Sequence, residues 1–229
     1  MRERSQNVAE TLVFNLDDLS DNTLWDMWVR GEVEDLLDLP YEGIRVEIIG
    51  GQIVVSPAPT VAHAVILTDI STAFTTAPSR DRDVPWVPTQ VVNLWRETAG
   101  KSAIPDLVVL AADVLEAAAN ADAFGLSPDE VEMVVEVTSP SNSEQDRPPT
   151  GGRRLAEPNK WSRYAQVEIP YYLLVDRSPK EAKTTLYCIP DRSTGAYLHR
   201  ESWEFGETIQ LPEPFNVEIE TRHWQPWKK

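Results

Sequence analysis

Apolar residues along this chain fall mostly in short blocks with a strand-like rhythm, punctuated by proline, glycine and charge. Residues 44–49 and 52–55 are apolar or alternating and flank Gly50 and Gly51, which predicts a β-hairpin. The run Ser56, Pro57, Ala58, Pro59 ends it, and Thr60 stands where a helix N-cap would. From there Ala64, Leu67, Ile70, Ser71 and Phe74 recur at spacings that place them on one helical face. After a polar loop at 79–83, residues 84–94 read as a strand. A second strand covers 104–110, with Pro105 at its opening edge, where a missing N–H does no harm. Residues 113–123 are Ala-rich and read as helix or loop, and 131–137 form a third strand stopped by Ser139 and Pro140. The stretch 141–158 is rich in Ser, Pro, Gly and Arg and reads as a loop. A helix at 159–166 then leads to a central strand at 171–176, with further short strands around 184–189 and 196–205. In the first 40 residues Leu24, Met27, Trp28, Leu36 and Leu37 are only partly helix-spaced around Gly31, which predicts one or two short helices. No period repeats, so strands mixed with helices predict an α/β or α+β sheet domain rather than a solenoid or barrel.

Composition narrows the classes of function. Hydrophobic residues are 41% and charged residues 25% of the 229, near globular averages, which argues against disorder. Cys188 is the single cysteine, too few for an internal disulfide, a zinc ribbon or an Fe–S site. No run approaches the roughly 20 apolar residues of a membrane span, and the polar start leads into no apolar signal region. A soluble, cytoplasmic protein is therefore expected. The 21 basic and 37 acidic residues give a formal charge of −16, which opposes any partner that must be coated with positive surface, nucleic acid included. That charge is uneven. Residues 147–183 hold eight basic and four acidic residues, and each of the flanking regions 1–60, 61–146 and 184–229 is net negative.

The chain carries no Gly-x-Gly-x-x-Gly after a strand, no P-loop, no Gly-x-Ser-x-Gly and no His-Glu-x-x-His. His63, His199 and His223 are not at metal-ligand spacing. Gly151, Gly152, Arg153 and Arg154 form either a phosphate-holding loop or, the better reading, a flexible polar one. Two carboxylates stand out because their surroundings are apolar: Asp106 opens 107–110, and Glu136 lies inside 133–137. An ionised carboxylate there is costly unless paired or bound to a cation. If the two strands are sheet neighbours, both side chains could converge on one hard cation through oxygen, the chemistry that suits Mg²⁺. The alternatives are an edge position facing solvent or a structural ion pair. Eight tryptophans are scattered rather than interleaved with basic residues, which favours packing over base stacking. Trp224 and Trp227 are candidates for a partner surface.

Five segments, taken in order, resemble the bacterial restriction endonucleases of the Uma-two type, in the PD-(D/E)XK nuclease superfamily. They are the 46–54 hairpin with 56–59 and His63, then Pro105-Asp106-Leu107-Val108-Val109, then Val135-Glu136-Val137-Thr138-Ser139-Pro140-Ser141. Lys160-x-x-x-Tyr164 and the strand from Ile169 to Asp176 complete the set. The resemblance implies a restriction-endonuclease-like mixed β-sheet core flanked by helices. Around it lie an acidic N-terminal helical extension over 1–40, C-terminal strands, and a single nuclease-like domain over 41–229. It also implies a metal-dependent endonuclease cleaving DNA, with Asp106 and Glu136 on Mg²⁺ (Mn²⁺ as substitute) and Glu47 as a third carboxylate. The superfamily's lysine would sit at Thr138, so Lys160 on the following helix is nominated instead. Glu136 and Lys160 are 24 residues apart, longer than the family pattern, with an apparent insertion at 147–154 that makes Arg153 or Arg154 alternatives for the lysine's role. Asp176 is read as a structural strand end. A homodimer would suit cleavage of both strands. The other class of reading is a catalytically inactive nuclease fold used for binding or assembly.

Overall fold

A computed structural model of the chain describes residues 12–14, 27, 30, 45–49, 52–56, 58–77, 85–90, 92–96, 101–149 and 159–228. The expected hairpin is present as β2 (Arg45–Ile49) and β3 (Gln52–Ser56), paired antiparallel from Arg45 opposite Ser56 to Ile49 opposite Gln52. A short strand β1 (Leu12–Phe14), within the residues expected to be a helical extension, pairs antiparallel with β3. The helices expected at 24–37 lie outside the described residues, apart from a helical Met27 and a turn at Arg30.

Next comes α1 (Val61–Thr76), where Thr60 caps as expected: its Oγ1 accepts the His63 N–H at 3.3 Å. Its inner face buries His63, Ile66, Leu67, Ile70 and Phe74. The single strand expected at 84–94 is two strands in different sheets, β4 (Trp86–Thr89) and β5 (Leu94–Arg96). The reason lies at Asn93, whose side chain donates to the Phe124 carbonyl while its own carbonyl accepts from Leu126 N–H, so the chain is pinned away from β4 before β5 starts. β6 (Lys101–Ala103) then pairs with β5, and β7 (Leu107–Ala111) with β4. The ambiguous Ala-rich stretch is a helix, α2 (Ala112–Asn120).

β8 (Met133–Val137) pairs antiparallel with β7 and parallel with β9 (Tyr171–Asp176). Two short helices separate these strands: α3 (Ser143–Asp146), inside the stretch expected to be loop, and α4 (Lys160–Gln166). β10 (Lys183–Asp191) and β11 (Ala196–Glu204) extend the sheet antiparallel, and β12 (Thr208–Leu211) with β13 (Val217–Glu220) form a separate hairpin. Among the described residues the principal sheet therefore runs β11-β10-β9-β8-β7-β4, a mixed six-stranded sheet flanked by helices, and a second sheet runs β1-β3-β2-β6-β5. No helix among the described residues is long and apolar enough to cross a membrane.

The central strands β7, β8 and β9 of the principal sheet are buried on both faces, which explains why they read as nearly continuous apolar runs. Leu107, Val109, Met133, Val135, Leu173 and Val175 face α1 and the β12–β13 hairpin. Val108, Leu110, Val134, Tyr172 and Leu174 face Trp161, Tyr164 and Ala165 of α4. Trp224, a candidate for a partner surface, belongs instead to the first core at 2% exposure, its indole N–H donating to Asp69 Oδ2 at 2.9 Å. Trp227 is half-buried.

Candidate functional site

Strand register brings the two singled-out carboxylates together. Leu107 pairs with Val135, so Asp106, one residue before β7, stands at the position across from Glu136. In an antiparallel pair such opposed residues share a face. Both are buried, at 5% and 1% exposure, so the solvent-facing alternative is excluded and each charge needs an answer within the fold.

Asp106 is held from two directions. Its Oδ2 accepts the Val137 N–H at 2.9 Å, which ties the carboxylate to the neighbouring strand. His63, in the first turn of α1, places Nε2 3.2 Å from the same oxygen, at ion-pair distance but off the line of a hydrogen bond. The capped start of α1 thus delivers His63 to the end of β7, so this histidine belongs to the site rather than to the core alone.

Glu136 is answered by α4. Lys160 and Tyr164 stand four residues apart and so share a helical face. Tyr164 donates its hydroxyl to Glu136 Oε1 at 2.7 Å, and Lys160 Nζ lies 3.1 Å from both carboxylate oxygens. Lys160 is only 1% exposed, and its Nζ is also 4.0 Å from Asp146 Oδ1. Despite the long interval from Glu136, α4 starts in a defined place: the Asn159 side chain accepts the Ser162 N–H at 2.9 Å and donates to the Arg147 carbonyl at 2.6 Å. Lys160, at the first turn, is thereby aimed at Glu136. The alternatives Arg153 and Arg154 lie outside the described residues.

Thr138, the residue that the resemblance aligns with the expected lysine, is fully buried: its Oγ1 accepts the Arg177 N–H at 2.9 Å and donates to Asp176 Oδ1 at 3.3 Å. Asp176 ends β9 in a forked pair with Arg147, Nε to Oδ2 at 2.6 Å and Nη2 to Oδ1 at 2.8 Å. Those hydrogen bonds hold the Arg147 guanidinium above its ordinary pKa. Glu47 lies in β2 of the second sheet, opposite Val54 of β3; its side chain is outside the described residues.

Asp146 was not foreseen. It is fully buried at the end of α3, and its backbone carbonyl accepts the Tyr172 hydroxyl at 2.8 Å. Burial pushes that phenol well above its ordinary pKa, and the Asp146 and Glu136 carboxylates push it further, so Tyr172 stays a donor. Asp146 sits in a polar stretch of sequence, where nothing marks one acid as buried. The result is a buried group of three acids with one lysine and a tyrosine at one end of β7 and β8, with His63 at its edge. Among the described residues no three His, Cys, Asp or Glu side chains converge as a metal-ligand set.

Residues 33–222 match the Uma2 family, described as "Putative restriction endonuclease". No curated protein matches the chain. Among solved structures the chain is similar to one titled as a "putative nuclease belonging to DUF820" from Anabaena variabilis ATCC 29413. The TM-score is 0.54 and the identity 17%, with 83% of this chain and 94% of that one covered, a likeness of fold.

Proposed function

The chain belongs to the Uma2 restriction-endonuclease family, and on that premise we propose that it is a Mg²⁺-dependent endonuclease hydrolysing phosphodiester bonds of DNA. Asp106 and Glu136 would hold the cation, with Glu47 as a third carboxylate, and Lys160 would serve the reacting phosphate. Mg²⁺ commonly takes only one or two protein carboxylates and completes its shell with water and substrate phosphate, so the donor set of Asp106 and Glu136 fits it, and Mn²⁺ as a substitute. When bound, the ion polarises the phosphate and lowers the pKa of an attacking water.

The observation that carries this reading is the buried pairing of Lys160 with Glu136 across from Asp106. The Val137 N–H fixes which oxygen of Asp106 is engaged, and the Tyr164 hydroxyl does the same for Oε1 of Glu136. Lys160 places its amine beside the carboxylates, where negative charge builds as a phosphodiester is attacked, and a preorganised donor in a dry site acts strongly there. Burial of the cluster excludes bulk water from these contacts.

Plasmid nicking tests the reading. Purified protein with Mg²⁺ or Mn²⁺ is expected to nick supercoiled DNA, and Asp106→Asn or Glu136→Gln to lower the rate by at least about a hundredfold, the order of one lost electrostatic contributor. Near-isosteric replacements are required because an alanine at Glu136 would also strand Lys160. Absence of divalent-cation binding by calorimetry in the wild type would remove the catalytic reading; wild-type nicking by both variants would remove the site assignment. The net charge of −16, and an internal cation already on Glu136, favour a second reading: a non-catalytic nuclease fold used for binding. A protein that binds the cation and DNA but leaves plasmid intact would select it.

A further inference from the structure

Arg177 follows Asp176 at the end of β9 and is buried to 5% exposure, yet among the described residues its guanidinium meets no anion. Its Nε donates to the Gln225 carbonyl at 3.3 Å and its Nη1 to Thr60 Oγ1 at 3.4 Å, both long contacts to neutral acceptors. The nearest acid in sequence, Asp176, is taken by Arg147. Among the described residues no carboxylate pairs with Arg177, and only two of the five N–H donors of its guanidinium meet an acceptor. Desolvation by burial lowers its pKa from the ordinary value. A buried cation left in this state is costly, and a ligand anion is the direct way to compensate it.

Its position says which anion. The Arg177 backbone N–H is held by Thr138 Oγ1, and Thr138 directly follows Val137, whose N–H holds Asp106. On the other side, Thr60 Oγ1 touches both the Arg177 guanidinium and the His63 N–H, and the His63 ring meets Asp106. Arg177 is thus linked to Asp106 through Thr138 and Val137 on the sheet side and through the capping turn on the helix side. That turn begins a 16-residue helix, whose positive end adds to the attraction for an anion. A planar fork of donors beside a helix N-terminus matches a phosphate in both charge and shape.

We propose that Arg177, together with the first turn of α1, binds a backbone phosphate of the nucleic-acid substrate beside the bond addressed by Asp106 and Glu136. This rests on the nuclease reading above and adds to it a residue that neither the family pattern nor the carboxylate cluster identifies. Arg177 also takes part in holding the C-terminal segment, since its carbonyl accepts the Trp227 N–H at 3.0 Å, but that contact uses the backbone and survives replacement of the side chain.

The test uses the full chain with Arg177→Met and Arg177→Lys. Binding is read with a fluorescein-labelled DNA duplex in Ca²⁺, which allows association without turnover, and with inorganic phosphate as a competitor; nicking is read in Mg²⁺. Arg177→Met is expected to weaken both duplex and phosphate binding about tenfold, the value of one charge-assisted contact, and to raise KM more than it lowers kcat. Arg177→Lys should recover part of the affinity, because the charge returns without the fork. The Tm of Arg177→Met should be unchanged or higher, since an uncompensated buried charge has been removed. Wild-type affinity for duplex and phosphate in Arg177→Met, with a lowered Tm, would overturn the proposal and make the side chain a structural tie. If the wild type binds both probes through Arg177 yet does not nick, the phosphate site stands and the nuclease reading falls. If it nicks and Arg177→Met nicks and binds identically, the nuclease reading stands and this one falls.

Discussion

At Glu136 the fold holds a carboxylate at 1% exposure and answers it from one face of one helix, with Lys160 on both oxygens and Tyr164 on one. The arrangement makes Lys160 structural before it is anything else, because removing it leaves Glu136 and Asp146 as buried charges. Lys160→Met is therefore expected to cost about 3–5 kcal/mol of stability, the penalty of breaking a buried pair from one side. In a Glu136→Gln background the same replacement should cost less, with a coupling of about 0.5–3 kcal/mol measured by urea denaturation of the double-mutant cycle. Strictly additive losses would mean that the 3.1 Å contact contributes no energy. Both partners could be picked out in the sequence for different reasons: Glu136 as a charge inside an apolar strand, Lys160 through its four-residue spacing to Tyr164 in a family-like motif. Asp146 and Arg177 could not, since an acid or a cation among polar neighbours gives no sign of burial until the fold closes over it.

At the scale of elements, alternation and capping marked most of the pieces: the β2–β3 hairpin around Gly50 and Gly51, α1 behind Thr60, and the strands that became β7, β8 and β9. Pairing was not readable in the same way. Residues 84–94 look continuous because every position is compatible with extended backbone, and only the anchoring of Asn93 to the 124–126 segment divides them between two sheets. The β12–β13 hairpin has strands of four residues each, the lower limit of an alternating signal, although Val217–Glu220 does alternate apolar and charged. Its importance comes from packing. Phe215, fully buried between these strands, meets Phe74, Trp86 and Tyr171 edge-on with ring centroids 5.1–5.7 Å apart. Phe215→Ala should destabilise by about 3–5 kcal/mol, the usual range for a buried aromatic truncated to a methyl group. A urea midpoint close to wild type would show that the hairpin is an appendage rather than part of the core beneath α1.

For the whole molecule the charge of −16 and the proposed nucleic-acid substrate pull in opposite directions, and the segment 147–183 is where the proposal reconciles them. Its net positive charge contains Lys160 and Arg177, both buried at the site end of the sheet, with the surrounding regions all net negative. On the proposed nuclease reading, such a charge distribution would repel duplex DNA at a distance and attract it only over a few phosphates at contact. Counterion release then sets a measurable limit. Each neutralised phosphate contributes about 0.9 to the slope of log affinity against log salt concentration, so two or three contacts predict a slope of about −2 to −3, shallow beside the value near −10 of a repressor that makes many phosphate contacts. Fluorescence anisotropy of the labelled duplex in Ca²⁺ across 50–200 mM salt, a range within which both extremes are resolvable, would give the slope directly. Loss of one phosphate contact in Arg177→Met should reduce it by about 1. A slope steeper than about −6 would require a basic surface that this charge distribution does not provide, and would place the nucleic acid somewhere other than the buried site.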